Sequence, residues 1–318
     1  MKRPPVLVLT AGLGTRLRPL TDVRAKAAIP INGAALAVRV ARWLADLGFV
    51  DQVYNLHHHP ASITACLGDG SALGVRVRYS WENPVLGSAG GPRHALPLLG
   101  DGGAQRFLIV NGDTLTDVDV DALLERHAAS GAAVTMAVIR NPAPRKYGGV
   151  TVGDGFVTAF TRPGAVADSY HFIGIQVVDA GVFAALEDGV RDESVGRLYP
   201  ALMQRNARAV AAFVSAATFS DIGTPADCLQ TSLALAQLEG DRLVSPSAEI
   251  ATDAVVERTA LWDHVRVGTG ARLTDCIVAD GARIEEGVSL VRCAVVPAGS
   301  RAPAADERIE NGLLIRPF

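Results

Sequence analysis

The spacing of apolar positions changes twice along this chain. Residues 6–9 (VLVL) form a short unbroken apolar run before a glycine-bearing loop, and this reads as a buried first strand. Leu36, Val40, Leu44 and Leu47 then recur at helical spacing, with Gly48 as a C-terminal stop. A strand at 53–56, a helix through Ile63 and Leu67, an alternating strand at 75–80, a helix from about 88 to 99 and a strand at 107–110 follow. Strand alternating with helix predicts a doubly wound α/β sheet. Ligands in such a sheet sit beyond the carboxyl ends of the strands, so the loops after Leu9, Ser80 and Val110 are the places to look. From 134 to 178 strands dominate (134–139, 148–152, 156–160 and 172–178), and the sheet as a whole is read as mixed. A helix near 198–204, a strand at 210–214 and a helix at 225–238 close this part.

The tail has another rhythm. Val255, Leu261, Val267, Leu273, Val278, Ile284, Leu290 and Val296 are spaced 6, 6, 6, 5, 6, 6, 6, with Gly268, Gly270, Gly281 and Gly287 in the intervening turns. A six-residue apolar period predicts a β-helix of three to four coils, in which each coil buries its apolar residues on the next. The last coil is expected to be atypical, because Pro297 and Pro303 break the pattern. The expected division is 1–240 for an α/β domain and 244–318 for a small hexapeptide-repeat β-helix.

Composition excludes several classes. The 318 residues carry a formal net charge of −3 and no long basic run, so a nucleic-acid partner has no electrostatic footprint. No apolar stretch approaches the roughly 20 residues of a membrane span. The start mimics a secretory signal, with Lys2 and Arg3 before an apolar run. That run reaches Arg16 too soon and has no cleavage-like tail. Four cysteines lie far apart without metal-ligand spacing, which suits reduced thiols in a cytoplasmic protein.

The chemistry concentrates in the first loop, LTAGLGTRLRPLTDVRAK at 9–26. Gly12 and Gly14 allow close backbone approach to a phosphate. Thr15 adds a hydroxyl, Arg16 a guanidinium fork matched to phosphate oxygens, and Lys26 a point charge. A dinucleotide fingerprint would need a third glycine where Leu17 stands, and a P-loop would need Gly-Lys-Ser/Thr, which is absent.

This stretch resembles the sugar-1-phosphate nucleotidyltransferase family, whose signature is Gly-x-Gly-Thr-Arg-Leu-x-Pro-Leu-Thr followed by Pro-Lys. Here the sequence runs GLGTRLRPLT, then Ala25-Lys26, so alanine replaces the family's proline. Three further segments match: ENPVLGSAGG (82–91), VNGDTLTD (110–117) and FSDIGTP (219–225), in which Phe219 stands where the family has Trp. The resemblance implies a Rossmann-like nucleotidyltransferase fold with a left-handed β-helix behind it. It implies that Ala11, Gly12, Gly14, Thr15, Arg16 and Gly112 meet the nucleotide, with Glu82, Asn83 and Gly87 toward the base and the helix at 88 offering its N-terminal amides. Asp113 and Asp221 would hold magnesium. Tyr147-Gly148-Gly149 and Thr161-Arg162-Pro163 match the sugar side more weakly, with Lys26, Gly149 and Arg162 implied at the sugar phosphate. Arg16, Lys26 and Asp113 are the implied catalytic set.

The implied reaction moves a nucleotidyl group from an NTP to a sugar 1-phosphate and releases pyrophosphate. GTP with mannose or heptose 1-phosphate is favoured, in the manner of mannose-1-phosphate guanylyltransferases, and uridylyl or thymidylyl transfer is the alternative. From other classes, a non-catalytic nucleotide-sugar sensor should lack one of Arg16, Lys26, Asp113 or Asp221, and all four are present. An acyltransferase on the β-helix would need a longer helix and a catalytic histidine, and His264 is the only histidine there. The β-helix is expected to mediate homo-oligomer assembly or to pack on the catalytic part. His57, His58 and His59 read as a loop rather than a metal site, and Asp117, Asp119 and Asp121 as a helix start.

Overall fold

The computed structural model describes residues 3–100 and 104–318. Lys2, one of the two cations at the start, lies outside them. Nine strands form the main sheet: β1 (Val6–Leu9), β2 (Asp51–Leu56), β3 (Arg76–Trp81), β4 (Arg106–Asn111), β5 (Val134–Arg140), β6 (Gly149–Gly153), β7 (Phe156–Thr161), β8 (Tyr170–Asp179) and β9 (Val210–Ser215). Their spatial order is β3-β2-β1-β4-β8-β5-β9-β7-β6. The first four are parallel, and β8 runs antiparallel between β4 and β5, so the sheet is mixed. Val6, Leu7 and Val8 are fully buried, as expected of a central parallel strand covered on both faces. The order reverses between β1 and β4. Loops leaving the carboxyl ends of these neighbours diverge, and a crevice opens at such a switch point.

The helix expected at 88–99 is α-helical only over Gly87–Ala95 and continues as a tight turn over Leu96–Leu98. Pro97 has no N–H to carry the α-helical ladder further. Strand β8 begins two residues before the expected 172, and its pairing with β5 shifts between Phe172 and Gln176, where Gly174 has a φ of 80°. The helix expected at 198–204 is Tyr199–Arg205, entered through a wide turn at Ser194–Leu198.

The tail forms a β-helix of three stacked parallel ladders, with registers that refine the repeat. Val256, not Val255, pairs with Leu273, which pairs with Leu290; Val278 pairs with Val295, not Val296. The stacked apolar positions are thus 256, 261, 267, 273, 278, 284, 290 and 295. A coil has 17 residues, with one five-residue and two six-residue sides. The single slip in the sequence pattern is one occurrence of this short side, which recurs on every coil. Beyond it, Leu313–Pro317 returns antiparallel on Cys293–Pro297 and covers the exposed end.

The described residues divide into two compact units that do not follow chain order. One comprises Met1–Gly12, Val40–Pro60 and Leu67–Ser220 and contains the whole nine-stranded sheet. The other comprises Leu13–Arg39, Ala61–Cys66 and Asp221–Phe318 and groups the first loop with the β-helix.

Candidate functional site

In the sheet unit, the loops after β1, β2, β3 and β4 are tied together by buried polar groups. The backbone N–H groups of Thr10 and Ala11 donate to Asn55 Oδ1 at 2.6 and 3.3 Å. Asn55 Nδ2 donates to Glu82 Oε1 at 2.7 Å, and the second Glu82 oxygen accepts from Leu86 N at 2.7 Å. Asn55 and Glu82 are both buried. Glu82 therefore buttresses the loops from behind, whereas the resemblance puts it toward the base. Asn83 beside it is exposed.

Glycine is required at two neighbouring points. A Cβ on Gly112 would lie 2.6 Å from Thr10 Cγ2 and 3.0 Å from Leu9 O, and Gly112 N itself donates to Leu9 O. The β4 loop is thereby pressed onto the β1 loop, and half-buried Asp113 leaves from this contact. Gly87 has a φ of 78° and lies against the 192–193 segment. The helix it opens does not present free N-terminal amides: Ala89 N and Gly90 N donate to Asp192 O, and Ser88 Oγ bonds Glu193. The anion site expected there is filled by the protein's own carbonyl.

On the far side of the same unit, Gly149 opens β6 tightly against Thr161 and Ser169. Arg162 is exposed. Tyr147, His171 and Phe219, from three separate stretches, form an aromatic cluster with ring centroids 4.4 to 5.8 Å apart. Asp119 caps the helix Val120–Ser130 through Ala122 N, as a helix start requires. His57–His59 lie in a loop, and among the described residues no group of three or more ligating side chains is close enough to hold a metal ion.

The second unit carries the remaining loop residues. Gly14 has a φ of 60°, and a Cβ there would meet Thr21 Cγ2 at 2.8 Å and Lys26 Cβ at 3.2 Å. Gly14 thus folds the loop back so that its own backbone packs on the root of Lys26. Gly12, in the first unit, has nothing within 4 Å of its Cβ position. One glycine is needed by the fold, while the other leaves space. Thr15 and Arg16 are exposed on a tight turn after Gly14. A Cβ on Gly223 would lie 3.0 Å from Arg16 Nη1 and 3.1 Å from Asp221 Oδ2, so Gly223 lets both groups lie along one stretch of backbone. Thr224 then caps the helix Pro225–Glu239. Burial, then the neighbouring Asp227, pushes the Cys228 thiol up to about 12, against the opposing charge of Lys26.

Alanine at 25 has a structural reason. Its φ of −55° and ψ of 146° are those of a proline, yet Ala25 N donates to Ser62 Oγ at 3.0 Å. A proline has no N–H to make that bond. A hydrogen bond therefore holds the backbone before Lys26 where the family uses a ring. Ser62 and Asn55 were not foreseen. The polar residue inside the apolar strand VYNL was the one available signal for Asn55.

Comparison with known proteins shows the family. The family model described as nucleotidyl transferase matches residues 5–237. A mannose-1-phosphate guanylyltransferase from Mycobacterium tuberculosis is 31% identical over 300 residues, covering 90% of this chain and 82% of that protein. An N-acetylmuramate α-1-phosphate uridylyltransferase from Neisseria meningitidis is 34% identical over 201 residues, covering 62% of this chain and 82% of that protein. The structure of HddC from Yersinia pseudotuberculosis complexed with GMP-PN shares the fold, with a TM-score of 0.63 and 21% identity over 73% of this chain and 99% of its own. Together, the doubly wound sheet, the glycine-shaped loops at its switch point and the match over 5–237 establish that the chain belongs to the nucleotidyl transferase family.

Proposed function

We propose that this chain transfers a guanylyl group from GTP to mannose 1-phosphate or heptose 1-phosphate and releases pyrophosphate. The observation that carries the nucleotidyl reading is the loop at Gly14, whose fold-back packs its backbone on the root of Lys26 and leaves Arg16 exposed beside Gly223. Such a loop offers a fork and a point charge to a polyphosphate. The guanylyl preference is supported by the relative from M. tuberculosis, which this chain covers along 82% of its length. Uridylyl transfer is the second reading, supported by the N. meningitidis relative.

In this reading the ionised sugar phosphate attacks the α-phosphorus in line, so no general base is needed. Catalysis is positioning plus charge neutralisation. Arg16 holds the β and γ phosphates as pyrophosphate departs, Lys26 neutralises the α-phosphate, and Arg162 anchors the sugar phosphate beside Gly149. Asp113 and Asp221 would hold magnesium. The chemistry of the donors is suitable, since carboxylates together with phosphate oxygens are what magnesium takes. When bound, the ion supplies charge neutralisation at the α-phosphate. Residues 1–240 carry the reaction in this reading, and 244–318 support it. The four cysteines are unpaired, which fits a reducing, cytoplasmic setting.

Pyrophosphate release with a panel of NTPs and sugar 1-phosphates tests the reading. Asp113→Ala should lower kcat by roughly 100-fold or more while melting near wild type. Near-normal turnover in a folded Asp113→Ala protein overturns the metal assignment.

A further inference from the structure

Two carboxylates stand at equivalent points on successive coils of the β-helix. Asp263 and Asp280 are 17 residues apart, one coil, and Asp263 N donates to Asp280 Oδ1 at 3.1 Å. Like charges stacked at the turns of adjacent coils repel unless a cation neutralises them. That cation comes from the first loop. Arg24 Nε lies 2.5 Å from Asp280 Oδ2, and its Nη2 lies 2.6 Å from both Asp280 Oδ1 and Asp263 Oδ2. Its guanidinium also sits 5.5 Å above the ring of Trp262.

Trp262 is buried, and its indole N–H makes no hydrogen bond. A buried unpaired donor is a cost that a phenylalanine would avoid, and Trp is the best face for a cation. The side chains thus form a receptor shaped to a guanidinium. Two further contacts fix the same loop to the tail: Arg301 pairs with Asp22, and Arg316 Nη1 donates to Arg18 O at 2.6 Å. All of these residues lie within the second unit.

We propose that Arg24 is a positioning residue, through which Asp263, Asp280 and Trp262 of the β-helix hold the 13–28 loop in the form that presents Arg16 and Lys26 to the triphosphate. Arg24 stands two residues before Lys26, and the hydrogen bond from Ala25 N to Ser62 fixes the residue between them. A guanidinium held at three hydrogen bonds and a ring has little freedom, and that constraint passes along the backbone to Lys26. On this account the tail acts on nucleotide affinity without touching the nucleotide. The proposal rests on the nucleotidyl reading only for its kinetic consequence.

The test compares wild type, the Asp263→Asn/Asp280→Asn double variant, Arg24→Gln, and the control Asp275→Asn. The control removes a different ion pair of the tail, with Arg258 at 2.7 Å. Amide hydrogen exchange over residues 13–28 and steady-state kinetics are read on each. The double variant and Arg24→Gln should exchange faster in the loop. Each should raise the KM for the NTP about 10-fold, the size of an ordinary coupling between sites, with a smaller rise in the KM for sugar 1-phosphate, which meets only Lys26 of the two presented cations. Combining them should be no worse than either alone, because they break the same contact. The control should match wild type in both measurements. Unchanged loop exchange in the folded double variant overturns the clamp, whether or not Arg24→Gln folds. Faster exchange with an unchanged NTP KM, or equal rises in both KM values, overturns the positioning role. A wild-type protein inactive with every substrate pair would overturn the nucleotidyl reading, while loop exchange would still decide the clamp.

Discussion

Two loops of this molecule are held in opposite ways. In the sheet unit, the β1 loop hangs on Asn55 and Glu82, which are buried and bonded largely to backbone groups a few strands away. In the second unit, the 13–28 loop hangs on guanidinium–carboxylate pairs whose members are up to 279 residues apart and partly exposed. Arg24 keeps 21% of its side-chain surface and Asp263 keeps 50%. Buried hydrogen-bonded partners are shielded from added salt, whereas partly exposed ion pairs are screened and titratable. The first device suits a fixed floor, and the second suits a part that a remote element can adjust.

Breaking the buried device should have the largest effect on stability. Asn55→Leu keeps the size of the side chain but strips Thr10 N and Ala11 N of their acceptor and Glu82 Oε1 of its donor. The expected cost is about 3 kcal/mol, since buried groups are left unpaired and one of them is a carboxyl. Asn55→Leu with Glu82→Met should be less destabilising than the two single losses added together. Denaturant melts of the four proteins check this. Strict additivity would mean that Asn55 and Glu82 act independently.

Acid should separate the two regions by pH, with a smaller effect. His127 is buried in the sheet unit and bonded to Thr135 Oγ1 at 2.9 Å. Burial holds its pKa below the ordinary 6.5, against the opposing pull of Asp179. The fold therefore favours the neutral ring, and this stability is complete above pH 6.5 and lost as pH falls through the lowered value. Asp263 in the tail is also lowered. Burial works against this shift, but bonds from Ser245 and Arg24 outweigh it. Its contribution persists to the ordinary carboxylate value of 3.8 and is lost only below that. Hydrogen exchange along an acid series should show the helix Val120–Ser130 loosening before residues 13–28. The reverse order would break the comparison.

The sequence was legible where the physics is local. The apolar run 6–9, the helical spacing ending at Gly48 and the glycines at 12, 14 and 112 each declare themselves within a few residues. Asp113 stands at the end of β4 because a strand ends there. Asn55 was hidden, because one polar residue in a strand says nothing about its partners. Arg24 was hidden more deeply, since its meaning depends on carboxylates 239 and 256 residues away. Ala25 departs from the family's proline, and the bond to Ser62, remote in sequence, gives that departure a reason. The helix at 87 misled in the other direction. Its sequence offers amides to an anion, and only the fold brings Asp192 O to take them.

The smallest expected effect concerns what makes the tail a firm support for the loop. Its coils turn at corners in the left-handed backbone region, and the corner residue is glycine at Gly270 and Gly287 but Arg258, Asp275 and Arg292 on the short side. A side chain in that region costs roughly 1 kcal/mol or slightly more relative to glycine, and asparagine tolerates it better than arginine. Gly270 has nothing within 4 Å of its Cβ position, so Gly270→Ala adds no clash and reports the backbone cost alone. It should destabilise the tail by about 1 kcal/mol. Arg292→Asn should stabilise it by a few tenths, because the residue gives up only a bond to Phe318 O and relieves the strain. Opposite signs in thermal melts would locate the stiffness of the tail in its corners. If both variants melt with wild type, the ladders alone set that stiffness, and the contrast with the hydrogen-bonded floor of the sheet unit then rests on Arg24 and its partners.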